Sequence, residues 1–295
     1  MLDVTRSDSQ PGRDARIGSL LQGHSLEMTA KDVVALEEAA GVIPQGTRIA
    51  IAFLPGETFE ARLHAAVRVR SLGFDPAPHI SARRIASESE LRGFLENLST
   101  QASIQRLFVV AGDPPVPEGP YEDALSLIRS GMLNDLGLES VGVSGYPEGH
   151  PDIGEPALWG AMFDKRDALA ELGISMTILT QFGFDAEPIV HWVERVRSHG
   201  IDALIRIGVP GPAGIKTLLR FAARCGVGAS AKVMSKYGLS LTQLMGTAGP
   251  DRLIEDLADR IDPARHGPLS LHFYPFGGIA RTAEWVSDFA AKKAA

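Results

Sequence analysis

A single cysteine, Cys225, occurs in 295 residues, which excludes an internal disulfide and a cysteine-rich zinc site; a reducing cytoplasm is the expected compartment. Apolar runs of membrane-spanning length are missing, and the N-terminus is polar and charged, so neither a membrane nor an export role is expected. Basic surplus is lacking as well: 29 Lys and Arg against 36 Asp and Glu give a formal net charge of −7, which argues against a nucleic-acid surface. Nucleophile elbows, Walker loops and His-Glu-x-x-His helices are absent. Gly-x-Gly-x-x-Gly does not follow the first predicted strand. Serine hydrolysis, P-loop phosphoryl transfer and an open dinucleotide-binding sheet therefore lose support.

What remains is the composition of a folded enzyme, 44% hydrophobic and 22% charged. Residues 1–20, rich in Ser, Asp, Arg, Gln and Gly, read as a flexible N-terminal arm, and residues 21–295 as one catalytic domain. Short apolar runs predict strands near 24–28, 48–53, 75–80, 106–111, 140–145, 176–180, 203–208 and 269–273. Helical periodicity fills the intervals at about 30–41, 57–72, 86–99, 120–135, 155–172, 187–200, 212–225 and 278–292. Additional helices are expected near 230–237 and 240–262. Eight strand–helix repeats predict an α/β fold, a single (β/α)8 TIM barrel with extra helices between strands 7 and 8.

In such a barrel the strand exits converge on one face. The exit residues are Glu27, Phe53, His79 with Ser81, Asp113, Tyr146 with Glu148 and His150, Gln181 with Phe182 and Phe184, Arg206, and His272 with Tyr274. Carboxylates, imidazoles, an amide and aromatic faces suit a flat, nitrogen-rich heterocycle: Asp113 and Gln181 for its edge, Phe182, Phe184 and Tyr274 for its face. Glu27 is a candidate general acid if burial holds its pKa nearer neutrality. Strand-end polar residues also cap the following helix, and that structural alternative applies to each of them. Glu148 and His150 lack a third metal ligand, so no metal is expected. Lys165 and Arg166 could grip a phosphate or ribose edge, or simply face solvent. His191 and Trp192 read as packing, and Met234 and Met245 as filler.

Taken in order, Ser25-Leu26-Glu27, Ala77-Pro78-His79, Ala111-Gly112-Asp113-Pro114-Pro115, Gly145-Tyr146-Pro147-Glu148-Gly149-His150-Pro151, Leu179-Thr180-Gln181-Phe182-Gly183-Phe184-Asp185 and His272-Phe273-Tyr274 resemble the methylenetetrahydrofolate reductase family over roughly residues 24–290. The resemblance implies a barrel that interconverts 5,10-methylenetetrahydrofolate and 5-methyltetrahydrofolate with NAD(P)H, NADH being favoured, and with FAD as the intermediary. By position it implies Glu27 and Asp113 as catalytic residues and Gln181, Asp113, Phe182 and Tyr274 as folate-binding. It implies His79, Tyr146, His150, Lys165 and Arg166 as cofactor-binding. The sequence departs from the family at Met28, Ala52, Ala111 and Gly183. The first three fall on the expected flavin side, so direct hydride transfer from NAD(P)H stands beside the FAD route. A folate-dependent methyltransferase and a non-catalytic folate-binding barrel are the alternatives. The expected partners are a small-molecule folate and a nicotinamide, without nucleic acid or membrane; a homo-oligomer is left open.

Overall fold

A computed structural model describes residues 12–227 and 247–294. Eight parallel strands close into a barrel: β1 (Ser25–Met28), β2 (Arg48–Ile51), β3 (Asp75–Ser81), β4 (Arg106–Val110), β5 (Ser140–Gly145), β6 (Ser175–Thr180), β7 (Leu204–Pro210) and β8 (Leu269–Tyr274), with β8 pairing β1 to shut the ring. Each strand agrees with its expected position to within two residues. The eighth interval is closed by Ser25 opposite His272 and Leu26 opposite Phe273.

The helices that follow are α2 (Val33–Ala39), α3 (Phe59–Ser71), α4 (Glu88–Ala102), α5 (Ala124–Arg129), α6 (Glu155–Glu171), α7 (Ala186–Ser198) and α8 (Ile215–Arg224). After them come α9 (Asp251–Arg260), the short α10 (Pro263–His266) and α11 (Ile279–Ala294). Helix α9 occupies the C-terminal part of the expected 240–262 segment. The segment near 230–237, residues 240–246, and Met234 and Met245 lie outside the described residues. Local signals start several helices: the side chains of Thr58, Ser87, Asp123 and Asp185 each accept a backbone N–H of the first turn.

One expectation needs correcting. Residues 13–20 are not an arm; Arg13–Leu21 form a helix, α1, whose apolar stripe of Ile17, Leu20 and Leu21 is buried against β8, α9 and α11. Those three residues recur at the helical spacing of three and four, and their burial outweighs the poor helix propensity of Gly18 and Ser19. Residues 1–11 of the expected arm lie outside the described residues.

Strand alternation divides the barrel wall into two chemistries. Leu26, Ile49, Ile51, Ile80, Val141, Val143, Ile178, Ile205, Ile207, Val209, Leu271 and Phe273 are essentially inaccessible and join the core beneath the helices. The alternate residues carry much of the polarity: Ser25 and Glu27 on β1, Arg48 on β2, Asp75 and His79 on β3, Arg106 on β4, Arg206 on β7, Ser270 and His272 on β8. Barrel interiors are ordinarily filled with branched apolar side chains, whereas this one is a polar column with charge at both ends. Glycines make room for the two aromatic rings that enter it. A Cβ on Gly142 would sit 2.8 Å from the Phe108 ring, and one on Gly208 2.5 Å from the Thr180 carbonyl and 2.8 Å from the Tyr274 ring.

Candidate functional site

At the C-terminal mouth, Glu27 from β1 lies between imidazoles of β3 and β8. Its Oε2 is 3.7 Å from His79 Nε2 and 3.7 Å from His272 Nε2. Both of those nitrogens are buried without a hydrogen-bond partner. Arg62 of α3 is itself fully buried; it donates to the His79 carbonyl and lies over the Phe53 ring at 4.0 Å, which fixes the end of β3. Behind His272, its Nδ1 is 2.8 Å from Ser25 Oγ, and Arg206 Nη1 donates to that hydroxyl at 3.2 Å and to the Gly23 carbonyl at 2.8 Å. With its oxygen accepting from arginine, Ser25 is free to donate its proton to His272 Nδ1. The tautomer so favoured carries N–H on Nε2, facing Glu27.

The electrostatics differ from the sequence expectation. Burial pushes the Glu27 carboxyl up, but the imidazoles of His272 and His79 facing it outweigh that and hold Glu27 below the ordinary glutamate value. Burial lowers both imidazoles, His79 to about 4, with Glu27 opposing. At neutral pH the cluster is a carboxylate between two neutral imidazoles, not an acid waiting with its proton.

This has a consequence for stability. His79 binds a proton near pH 6.5 when unfolded and only near pH 4 when folded, so the unfolded chain takes up more protons in that window and stability falls as pH drops through it. The shift corresponds to a contribution on the order of 3 kcal/mol. His79→Gln should flatten the decline between pH 6.5 and 4 in urea unfolding curves. An unchanged slope would place the acid sensitivity elsewhere.

The other expected residues are placed less uniformly. Asp113 sits at the tip after β4 with its side chain 67% exposed, held by Arg84 at 3.1 Å; Gly112 turns the chain there at φ +91°. Gln181 follows β6 and folds its Oε1 back onto the Phe182 N–H at 3.2 Å. Tyr274 crosses the lumen and donates to the Thr180 carbonyl at 3.0 Å, edge-on to His272. Phe182 does not offer a stacking face: it is 3% exposed and packs edge-to-face on Phe184, Tyr274 and Phe276 in a small second core. Phe184 is buried in the same core.

Arg206 is also corrected. It is the third residue of β7 and not an exit residue, and it reaches the mouth only through Ser25 and His272. Sequence reading placed His272 among the exits but gave it no role. Its pairing with Glu27, 245 positions away in the chain, arises from barrel closure.

A cavity of about 560 Å³ lies at the C-terminal ends of β4 and β5, walled by them with residues of α5, α6 and α7, and including Ala111, Tyr146, Trp159 and Lys165. His150 stacks edge-on against Tyr146 at 5.1 Å, and Arg166 does not line this cavity: it pairs with Asp167 at 2.8 Å and lies over Phe163. Trp192 is buried at the cavity wall against Trp159, while His191 beside it is exposed.

The methylenetetrahydrofolate reductase family model matches residues 45–275. The chain belongs to that family. Among curated methylenetetrahydrofolate reductases, the 5,10-methylenetetrahydrofolate reductase of Pectobacterium carotovorum subsp. carotovorum is 29% identical over 164 residues, 55% of this chain and 52% of that protein. Methylenetetrahydrofolate reductase 2 of Saccharomyces cerevisiae is 28% identical over 163 residues, 52% of this chain and 26% of that protein. The chain thus spans about half the length of the bacterial relative and a quarter of the yeast one. In fold it resembles a Clostridium thermocellum protein described as binding two copies of 5-methyl-5,6,7,8-tetrahydrofolic acid, with TM-score 0.61, 13% identity, and coverage of 95% of this chain and 98% of that one.

Family membership suggests a redox role involving flavin, nicotinamide or both, and the cavity can be tested for a resident FAD. A diphosphate needs fixed cationic donors with uncommitted charge. Of the three cations among the described residues of the walls, Arg83 donates to the Glu122 carbonyl at 2.6 Å and the Pro114 carbonyl at 3.3 Å, and Arg195 is paired with Glu155. Lys165 is the third, its ammonium pushed down by burial. Asp123, Glu148 and Glu155 line the same walls and cancel the formal charge. Ala111 contributes only a methyl. This donor set does not fit a tightly held FAD diphosphate.

Proposed function

We propose that the chain interconverts 5,10-methylenetetrahydrofolate and 5-methyltetrahydrofolate, with hydride passing directly between a reduced nicotinamide and the folate. The observation that carries this reading is the Glu27 carboxylate between two neutral imidazoles at the barrel mouth.

Reduction requires the five-membered ring of methylene-folate to open: one proton goes to the leaving nitrogen, and the carbon remains as an iminium on the other nitrogen. A pterin seated over Glu27 removes its remaining water, which raises its proton affinity and lets it take up and pass on that proton. Once the proton has left, the carboxylate faces the iminium cation and stabilises it until hydride arrives. His272 Nε2, oriented through Ser25 and Arg206, holds the carboxylate in place. Asp113 and Gln181 recognise the pterin edge in this scheme; Tyr146, His150 and Lys165 meet the nicotinamide nucleotide, a substrate that binds and leaves. Support for direct transfer comes from the neutral, largely committed donor set of the cavity at the ends of β4 and β5.

Anaerobic turnover with methylene-folate and either NADH or NADPH, each with and without FAD, tests the proposal. The expected result is nicotinamide oxidation matched by methyl-folate formation without FAD, faster with NADH. Activity that requires added FAD removes the direct route, and inactivity in all four conditions removes the reading altogether.

A further inference from the structure

The opposite, N-terminal face of the barrel contains the larger cavity, about 1000 Å³, closed in by α1, the loop before β2 and α11. Its floor includes the first inward residues of three strands, all arginines, Arg48 of β2, Arg106 of β4 and Arg206 of β7, with Asp75 of β3 and Arg70 from α3 beside them. One carboxylate serves most of this charge. Asp75 lies 3.4 Å from Arg48, 3.4 Å from Arg70 and 3.0 Å from Arg106. Glu139, half exposed at the rim, takes the outer edge of Arg106. At the far edge Lys293 is already paired with Glu255 at 2.7 Å.

Arg206 has no carboxylate among these pairs. Its residue is 92% buried, given 8% exposure, and its Nε finds no hydrogen-bond partner. Its pKa is lowered to about 9 by burial and by the fields of Arg48 and Arg106, so it still holds its charge at neutral pH. Like charges held this close together, one of them buried, repel unless an anion neutralises them. A fold that needed only packing here would use branched apolar residues. Guanidinium forks around an open volume are instead the geometry that grips oxyanions two contacts at a time.

We propose that this cavity is a binding site for a small oxyanion, a phosphate ester or a polycarboxylate, held by Arg48, Arg106 and Arg206. The site lies beneath the mouth cluster, which Arg206 meets through Ser25 and His272, and anion binding there does not depend on the reaction assigned to the mouth.

The test is isothermal titration of the full chain at pH 7.5 with inorganic phosphate, glucose 6-phosphate and citrate, at ionic strength held constant with sodium chloride. One saturable site is expected for at least one of these probes; the two phosphates against citrate distinguish a phosphate from a carboxylate ligand. Arg48→Met should weaken that binding at least tenfold. Lys165→Met, in the mouth cavity, should leave it unchanged. Circular dichroism checks the fold of each variant, and Arg106→Met replaces Arg48→Met if the latter does not fold. Absence of saturable binding by all three probes overturns the proposal, as does binding that survives in the arginine variant or is lost in the Lys165 variant.

Discussion

Glu27→Gln should lower the turnover number for methylene-folate reduction by about 10²–10⁴-fold, the usual worth of a positioned proton donor, while the KM for folate changes only a few-fold. Glutamine keeps the size of the side chain and a polar end between His79 and His272, so the seat of the pterin survives. It can neither deliver a proton nor offset the charge of an iminium. The carboxylate loses both contributions at once, which is why the rate should fall far more than affinity. Glu27→Asp should recover part of the rate, because it restores charge and proton but draws the carboxylate back from the substrate. Steady-state kinetics alongside folate binding by fluorescence separates the outcomes. A variant that binds and turns over like the parent removes Glu27 from the chemistry; one that loses binding and rate together assigns it a purely structural part.

The second large effect lies at the other end of the barrel. Asp75→Asn should cost about 3–5 kcal/mol of stability, nearer the lower figure because its partners are partly exposed. The side chain of Asp75 is 13% exposed and those of Arg48, Arg106 and Arg70 are 17%, 20% and 34% exposed. Removing the carboxylate leaves these guanidiniums facing one another with Arg206 behind them. Asparagine retains the shape but not the charge. Urea unfolding at pH 7.5 in chloride buffer measures the loss, and phosphate should restore part of it by binding the folded state alone. A loss below about 1 kcal/mol would mean the cluster behaves as a solvated surface network.

The strands of this barrel were readable because each is a short apolar run between turn residues, and the helices because their buried positions recur every three or four residues. Helix α1 escaped because Gly18 and Ser19 sit inside its stripe and only Ile17, Leu20 and Leu21 signal it. The mouth was partly readable. Glu27 and His79 stand at strand ends, where a barrel gathers its chemistry, and Ala111 and Lys165 do border a common cavity. Less of the electrostatics could be read. A lone carboxylate in a barrel suggests a raised pKa, but the two imidazoles that reverse the shift come from β3 and β8, and their proximity to β1 is a product of closure. Phe182 is hidden for a similar reason: an aromatic after a strand looks like a stacking surface until Phe276 and Tyr274, almost a hundred residues later, cover it. Arg206 lies deeper than an exit position because β7 runs from Leu204 to Pro210 and Arg206 is its third residue.

These placements define one chemical claim, that hydride reaches the folate from the nicotinamide without a carrier while Glu27 manages the proton. Transfer of label from NADH deuterated at C4 tests it most directly. The protein, stripped of any flavin, is incubated anaerobically in ordinary water with methylene-folate and each C4 diastereomer of the labelled NADH, and the methyl-folate formed is analysed by mass spectrometry. Direct transfer predicts one deuterium in the product methyl group from one diastereomer and none from the other. Product without deuterium from both would mean that the hydride had passed through a carrier that exchanges with solvent, as a reduced flavin does, and would contradict the account.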